Sequence, residues 1–462
     1  MQRTVLPTRH CSTAVWTVLL LLFVLLSGCD RAESPVPEPQ IERVQNAGST
    51  TTAATQEKAN LSPPPLAPSP LLTEPAELTT VEMPGDVLPV WRQWREQRPT
   101  LVIFAKEPML MEIEPQTIET LDNLINQAGP EQFLRGSRLQ KAEPVFLPEQ
   151  TLTAALRHDF FSKVIWVAPP PKPDEEISQE TFLKQVQDHG ILSADEIASL
   201  EIGEHFYEGI RRGTPFQISI DGSLPRLEGP VVVHIDMNFF MALYDSEVRT
   251  PIFTLLHDTL SALRITNWPT LVTTLTLATE EGATPLEMRF IKTLLTEIFA
   301  EPQRLDADLP EAWDLLREAR YLETFFQPER VIDLYLRMEQ LRPNDAAVKF
   351  DIYRILYTLK DREEAFGYLD RAIALDPGFA VEYLNRAVQA VSKEQYQDAL
   401  AFLEKAMKLM GDNPFLRMEA VKVMRTLGRD EEADRELSRL RTLPWSPIYY
   451  PNIRIALDQL EH

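Results

Sequence analysis

The residues whose types and spacing could do chemistry lie in Val231-Val232-Val233-His234-Ile235-Asp236-Met237-Asn238-Phe239-Phe240. The β-branched run reads as a strand. An apolar strand that ends in an imidazole and a carboxylate carries them to the carboxyl edge, where open α/β sheets bind ligands. His234 precedes Asp236 by two, so both face the same side of the strand. Asp236 and His234 are therefore the candidate catalytic residues, and with Asn238 the candidate ligands of a divalent metal; a buried His–Asp hydrogen bond is the plainer use of the same pair. His257-Asp258 falls in a helical segment and reads as surface, and His158, His189 and His205 lack metal-ligand spacing with one another. No Gly-x-Ser-x-Gly elbow, phosphate loop or dinucleotide fingerprint occurs. With 16 glycines in 462 residues, phosphate-cradling loops have little material.

The elements that position this strand belong to a region, 98–305, in which short β-branched runs alternate with amphipathic segments, the pattern of an α/β domain. Candidate strands are Leu101–Phe104, Lys163–Val167, Phe216–Ile220, Val231–Ile235 and Leu271–Leu277. Their near-continuous apolar character predicts a mostly parallel sheet with helices on both faces. Ile118, Leu121, Leu124 and Ile125 share a helical face. Ser193 and Glu196 form a capping-box pattern, and Thr284-Pro285 predicts a cap followed by proline at the first helical position.

From 309 to 462 the pattern changes to an all-α repeat of 34 residues. Ala365, Ala399 and Ala433 fall one period apart, as do Ala372 and Ala406, while Pro343, Pro377 and Gly411 end successive units. With Ala374-Leu375-Asp376-Pro377 and Asp398-Ala399, this resembles a tetratricopeptide solenoid, in which paired antiparallel helices stack and small residues allow close approach. In the flanking units Val331 and Met338 stand where alanines are expected. The resemblance implies a protein or peptide partner in a concave groove lined by the first helix of each unit. For units starting at Ala312, Ala346, Ala380 and Pro414, the ninth positions are Arg320, Arg354, Val388 and Lys422, and the twelfth positions add Tyr357 and Arg425. Arg320, Arg354, Tyr357, Lys422 and Arg425 are the candidate partner-binding residues, and guanidinium forks suit carboxylates, which points to an acidic segment or the carboxyl terminus of a partner.

The middle region is similar, at Val231–Phe240 and again at Thr274–Thr279 and Thr284–Leu286, to the arginase/deacetylase-like superfamily, in a degenerate form. That resemblance implies one or two divalent ions on Asp and His, activating a water for attack on an amide or guanidinium carbon. Here Asn238 stands where a second carboxylate would, no Asp-x-His-x-Asp run ends an earlier strand, and Leu101–Ala105 leads into Lys106.

Near the start, Arg3 and Arg9 precede an apolar core from Ala14 to Leu26, then Leu26-Ser27-Gly28-Cys29. Such a core is short for a span of about 20 apolar residues and fits a secretory leader. The four residues resemble a bacterial lipobox, which implies a signal peptide over 1–28, lipid (palmitate and related acyl chains) on Cys29, and a periplasm-facing protein held in the cell envelope, with Asp30 favouring the inner membrane. Several acyl chains, at about 0.8 kcal/mol per buried CH₂, make a durable anchor. Residues 29–97, rich in Pro, Glu, Ser and Thr, predict a disordered tether spanning roughly 40–50 Å root-mean-square. Cys11 and Cys29 are the sole cysteines, so disulfides, thiol nucleophiles and thiolate metal sites are excluded from the body. A formal charge of −23 argues against nucleic acid as partner.

Two functions follow as expectations: an envelope lipoprotein that scaffolds or assembles proteins through its repeats, or a metal-dependent hydrolase of C–N bonds whose repeats recruit substrate. The departures at Asn238 and Lys106 favour the first; binding of a small ligand without turnover is a third use of the strand-end crevice. Labelling cells with radioactive palmitate should mark the intact protein and leave Cys29→Ser unmarked; equal labelling of both would contradict the lipobox.

Overall fold

The computed structural model describes residues 68–462 except 128, 130–131, 134–135, 139, 172–177, 281, 412 and 462. Cys29, Asp30 and the leader lie outside the described residues. The expected start of the folded body at 98 is corrected. Residues 68–97 supply β1 (Ser69–Pro70), β2 (Leu78–Val81) and α1 (Leu88–Arg92), and bury Met83, Val87, Leu88 and Trp91. The run of prolines and acids hid these anchors, which are few but fully desolvated.

The sheet continues with β3 (Thr100–Phe104), α2 (Ile118–Gln127), α3 (Thr151–Arg157), β4 (Lys163–Val167), α4 (Gln179–Asp188), α5 (Ala194–Ala198), β5 (Glu201–Ile202), β6 (Phe206–Arg211), β7 (Thr214–Ser219), β8 (Val231–Asp236), α6 (Met237–Leu243), α7 (Ile252–Thr266), β9 (Pro269–Thr276) and α8 (Phe290–Ala300). The order is β1-β9-β8-β3-β4-β7-β6-β5, with β2 also on β9. Strands β2, β9, β8, β3, β4 and β7 run parallel, and β1, β5 and β6 pair antiparallel. Residues alternate along β8: Val231, Val233 and Ile235 pack with residues of α6, α7 and α8, and Val232 packs with those of α1, α2 and α3. The sheet is thus covered on both faces, as its apolar runs require.

The capping box at Ser193 and Glu196 is present. Thr284-Pro285 behaves otherwise than expected. Pro285 precedes a 3₁₀ turn over Leu286–Arg289, α8 begins only at Phe290, and the Thr284 hydroxyl caps nothing. The β6–β7 hairpin has no clear signature in the residues because β6 alternates polar side chains. Its turn is marked by Arg212 and Gly213, both at positive φ, the conformation that suits a tight hairpin.

The C-terminal region pairs its helices: α9 (Glu311–Glu323) with α10 (Pro328–Leu341), α11 (Ala346–Thr358) with α12 (Arg362–Leu375), α13 (Val381–Ser392) with α14 (Tyr396–Met410), and α15 (Pro414–Thr426) with α16 (Asp430–Arg441); α17 (Ile453–Asp458) follows. Each pair turns through one left-handed residue, at 326, 360, 394 and 428, with φ of 53, 68, 59 and 70°. Ala365, Ala399, Ala433, Ala372 and Ala406 are all fully buried, and Val331 and Met338 fill the equivalent places in the first pair.

The helical region is joined to the sheet by aromatic packing and by ions. Trp313 of α9 packs beside Phe253 and Phe290. Arg289, 3% exposed, donates from Nη1 to Glu82 at 2.8 Å and from Nη2 to both oxygens of Asp376 at 2.9 Å. Glu82 follows β2, whereas Asp376 follows α12. A Cβ on Gly378 would overlap that guanidinium, so a larger residue there would have to displace it. At the far end Ser446 N donates to Ala142 O at 2.8 Å and the Tyr449 hydroxyl to Val145 O at 3.0 Å. Removing one member of a buried ion group strands the others, at about 3–5 kcal/mol. Arg289→Met should therefore lower the unfolding free energy by about that amount in urea titration; an unchanged midpoint would show that the bridge is dispensable.

Candidate functional site

The strand order reverses at β3: β4 and β7 lie to one side of it, β8 and β9 to the other. That reversal makes the carboxyl ends of β3 and β8 the topological switch point, the usual ligand crevice of such sheets. His234, Asp236 and Asn238 belong to this strand end, and each has a structural partner. His234 Nδ1 lies 2.9 Å from Thr274 Oγ1 on β9, and its ring stands edge-on to Trp91 at 5.4 Å. Asp236 Oδ1 accepts from Asn238 N at 3.0 Å and so caps α6. Asn238 Oδ1 accepts from Lys106 N at 2.9 Å, tying α6 to the end of β3.

His234 and Asp236 share a face, as expected, but the expected hydrogen bond between them is not formed. Nor do the three side chains present a donor set to one point: the imidazole Nδ1 is occupied by Thr274 while its Nε2 is buried without a hydrogen-bond partner, the carboxylate is occupied by a helix N-terminus, and the amide oxygen by a backbone N–H. Asp221, Asp245 and Glu280, which loops could have supplied, pair instead with His205, Arg249 and Arg138. Among the described residues no group of three or more His, Cys, Asp or Glu side chains could hold a metal ion. The residues present do not fit the divalent ion that the superfamily resemblance implies.

A cavity of about 530 Å³ lies where the loop after β9 meets the first helices of the second and third helix pairs. Thr279, Thr284, Leu286 and Glu287 line it from the loop; Phe350, Tyr353, Arg354 and Tyr357 of α11, and Glu382, Asn385 and Arg386 of α13, line it from the helices. Glu382 is saturated: it accepts from Tyr353 Oη at 2.7 Å and Asn385 Nδ2 at 3.0 Å, and pairs with Arg386 Nε at 2.8 Å. The Arg386 guanidinium also stacks over Tyr357 at 4.6 Å. Burial and the facing Glu382 push the Tyr353 phenol far above its ordinary value, so it acts as a hydroxyl donor.

The basic residues expected to grip a partner are already paired. Arg320, 5% exposed, donates to both oxygens of Asp351 at 2.9 Å and to the Glu287 carbonyl at 2.7 Å. Arg354 holds Glu323 at 2.9 Å and Asp351 at 3.2 Å. Burial raises Asp351, while for Glu323 the Arg320 and Arg354 charges outweigh burial and hold it down. Lys422 pairs with Glu419 at 2.7 Å; Arg425 bonds Asp430 at 3.3 Å and the Leu460 carbonyl at 3.2 Å. Of the five candidates only Arg354 and Tyr357 border the cavity. Thr284, Glu287, Glu382, Asn385 and Arg386 were missed. The last three occupy the third, sixth and seventh positions of the third unit, which the same 34-residue register gives once more than the ninth and twelfth are counted.

No family model and no curated protein matches the sequence.

Burial pushes Asp236 up to about 7 and His234 down to about 3. Between pH 3.8 and 7 the native Asp236 keeps a proton that the unfolded state has lost, so its contribution falls as pH rises. Between pH 3 and 6.5 the native His234 lacks a proton that the unfolded state holds, so its contribution rises with pH. The two slopes, each about 1.4 kcal/mol per pH unit, oppose each other across the shared window. Asp236→Asn should therefore gain stability from pH 4.5 to 6 relative to the unaltered protein, and His234→Gln should lose it, in urea titrations at both pH values. Parallel behaviour of the two variants would contradict this pairing of opposed groups.

Proposed function

We propose that this protein is a lipid-anchored component of the bacterial envelope that scaffolds or assembles other proteins, docking a protein partner against its helical repeats. The observation that carries this reading is the cavity of about 530 Å³, open to solvent, bordered by the first helices of two successive pairs and the loop after β9. The tetratricopeptide reading of the repeats is supported by the single left-handed residue at the same phase of all four pairs and by the buried alanines one period apart. First helices facing a groove are the working surface of such arrays. Lipid on Cys29 and a tether would hold this surface at the membrane, and no helix among the described residues is long and apolar enough to cross one.

A photo-crosslinking residue at Thr358, which lines the cavity from an exposed position, tests this in cells that make the full-length protein. Thr358 should capture a discrete set of proteins that the same probe at exposed Glu404 on α14 does not. Identical capture patterns from both sites would contradict docking in the groove.

A further inference from the structure

The geometry points to a lysine- or arginine-bearing peptide segment as the occupant of this cavity, its cationic end received by Glu287 and Thr284. This inference rests on the protein-docking reading and specifies its chemistry. Around Arg320 and Arg354 stand four carboxyl groups, Asp351, Glu323, Glu287 and Glu247, so two cations face four acids. The first two carboxylates are consumed by the guanidinia. Glu287 is not: its backbone carbonyl serves Arg320, while its partly exposed side chain takes part in no hydrogen bond or ion pair among those of the described residues, though it lies within electrostatic range of Arg354.

Thr284, 2% exposed, lines the same cavity, and its Oγ1 has no hydrogen-bond partner. A buried hydroxyl without a partner is destabilising, and an incoming N–H donor would relieve it. Leu286, Phe350 and Val381 line the same cavity and offer an apolar path for the methylene stem of a lysine or arginine, which covers apolar surface while its head stays polar. An ammonium brings three donors and a guanidinium five, matching a carboxylate and a hydroxyl that both accept. An incoming carboxylate would find Arg354 hydrogen-bonded to Glu323 and Asp351, and Arg386 ion-paired with Glu382 although its Nε forms no hydrogen bond. The net charge of −23 steers basic segments toward the protein and acidic ones away.

The test is fluorescence polarisation on the full-length protein in neutral detergent, with three labelled pentapeptides: Gly-Lys-Gly-Lys-Gly, its glutamate counterpart and its serine counterpart. The lysine peptide should bind, and Glu287→Lys and Thr284→Val should each weaken it about tenfold, while Glu329→Gln, an exposed carboxylate outside the cavity, should leave it unchanged. Circular dichroism establishes that each variant is folded. Binding of the glutamate peptide that Glu287→Lys strengthens would overturn the charge assignment and leave docking in the groove intact. Lysine-peptide binding that is indifferent to Glu287 and Thr284 would overturn the site. Failure of all three peptides would overturn both this inference and the docking it rests on.

Discussion

Guanidinium groups taken out of water hold the sheet and the helical repeats in one arrangement. Arg289 and Arg320 are almost fully buried, and each such charge costs several kcal/mol of desolvation unless its partners are in place. The partners come from distant parts of the sequence. Arg289 needs Glu82 beside β2 and Asp376 beyond α12; Arg320 needs Asp351 on the next helix pair and the Glu287 carbonyl from the loop after β9. Neither region can satisfy these groups alone. The loop after β9 is consequently fixed against α11 and α13, and that juxtaposition forms the cavity.

The same ions bear on the docking proposed for the groove. Charge read from repeat register alone places cations along the first helices and suggests a grip for carboxylates. The fold pairs those cations with its own acids before any ligand arrives. The Glu287 carboxylate and the buried Thr284 hydroxyl remain on the wall, with an Arg386 Nε that is ion-paired to Glu382 but not hydrogen-bonded, and under the proposed docking these remaining groups would set the preference of the groove.

Much of this architecture is legible in the residues. The apolar runs place β4 to the residue and β3, β8 and β9 within two, and the helix pairs start within one residue of the 34-residue register. Long apolar runs and buried alanines are strong signals because burial imposes them. The anchors at Met83, Val87, Leu88 and Trp91 are not legible, since local composition there is that of a tether and only long-range contact with the sheet orders it. The strand end is half legible. His234 and Asp236 do share a face, but the partners that claim them, Thr274 on β9 and the start of α6, depend on strand order, which periodicity does not carry. Register marks the cavity through Arg354 and Tyr357 alone, because the loop carrying Thr284 and Glu287 is brought there by α8 and Arg289, a tertiary effect with no local pattern.

If shared ions couple sheet and repeats, their backbone amides should open together. Native-state hydrogen exchange of the full-length protein in rising denaturant measures this directly. The amides of β8 and β9 and those of α11 and α13 should converge on one opening free energy, as a single cooperative unit does; helices that open well before the sheet, along a separate isotherm, would contradict the account.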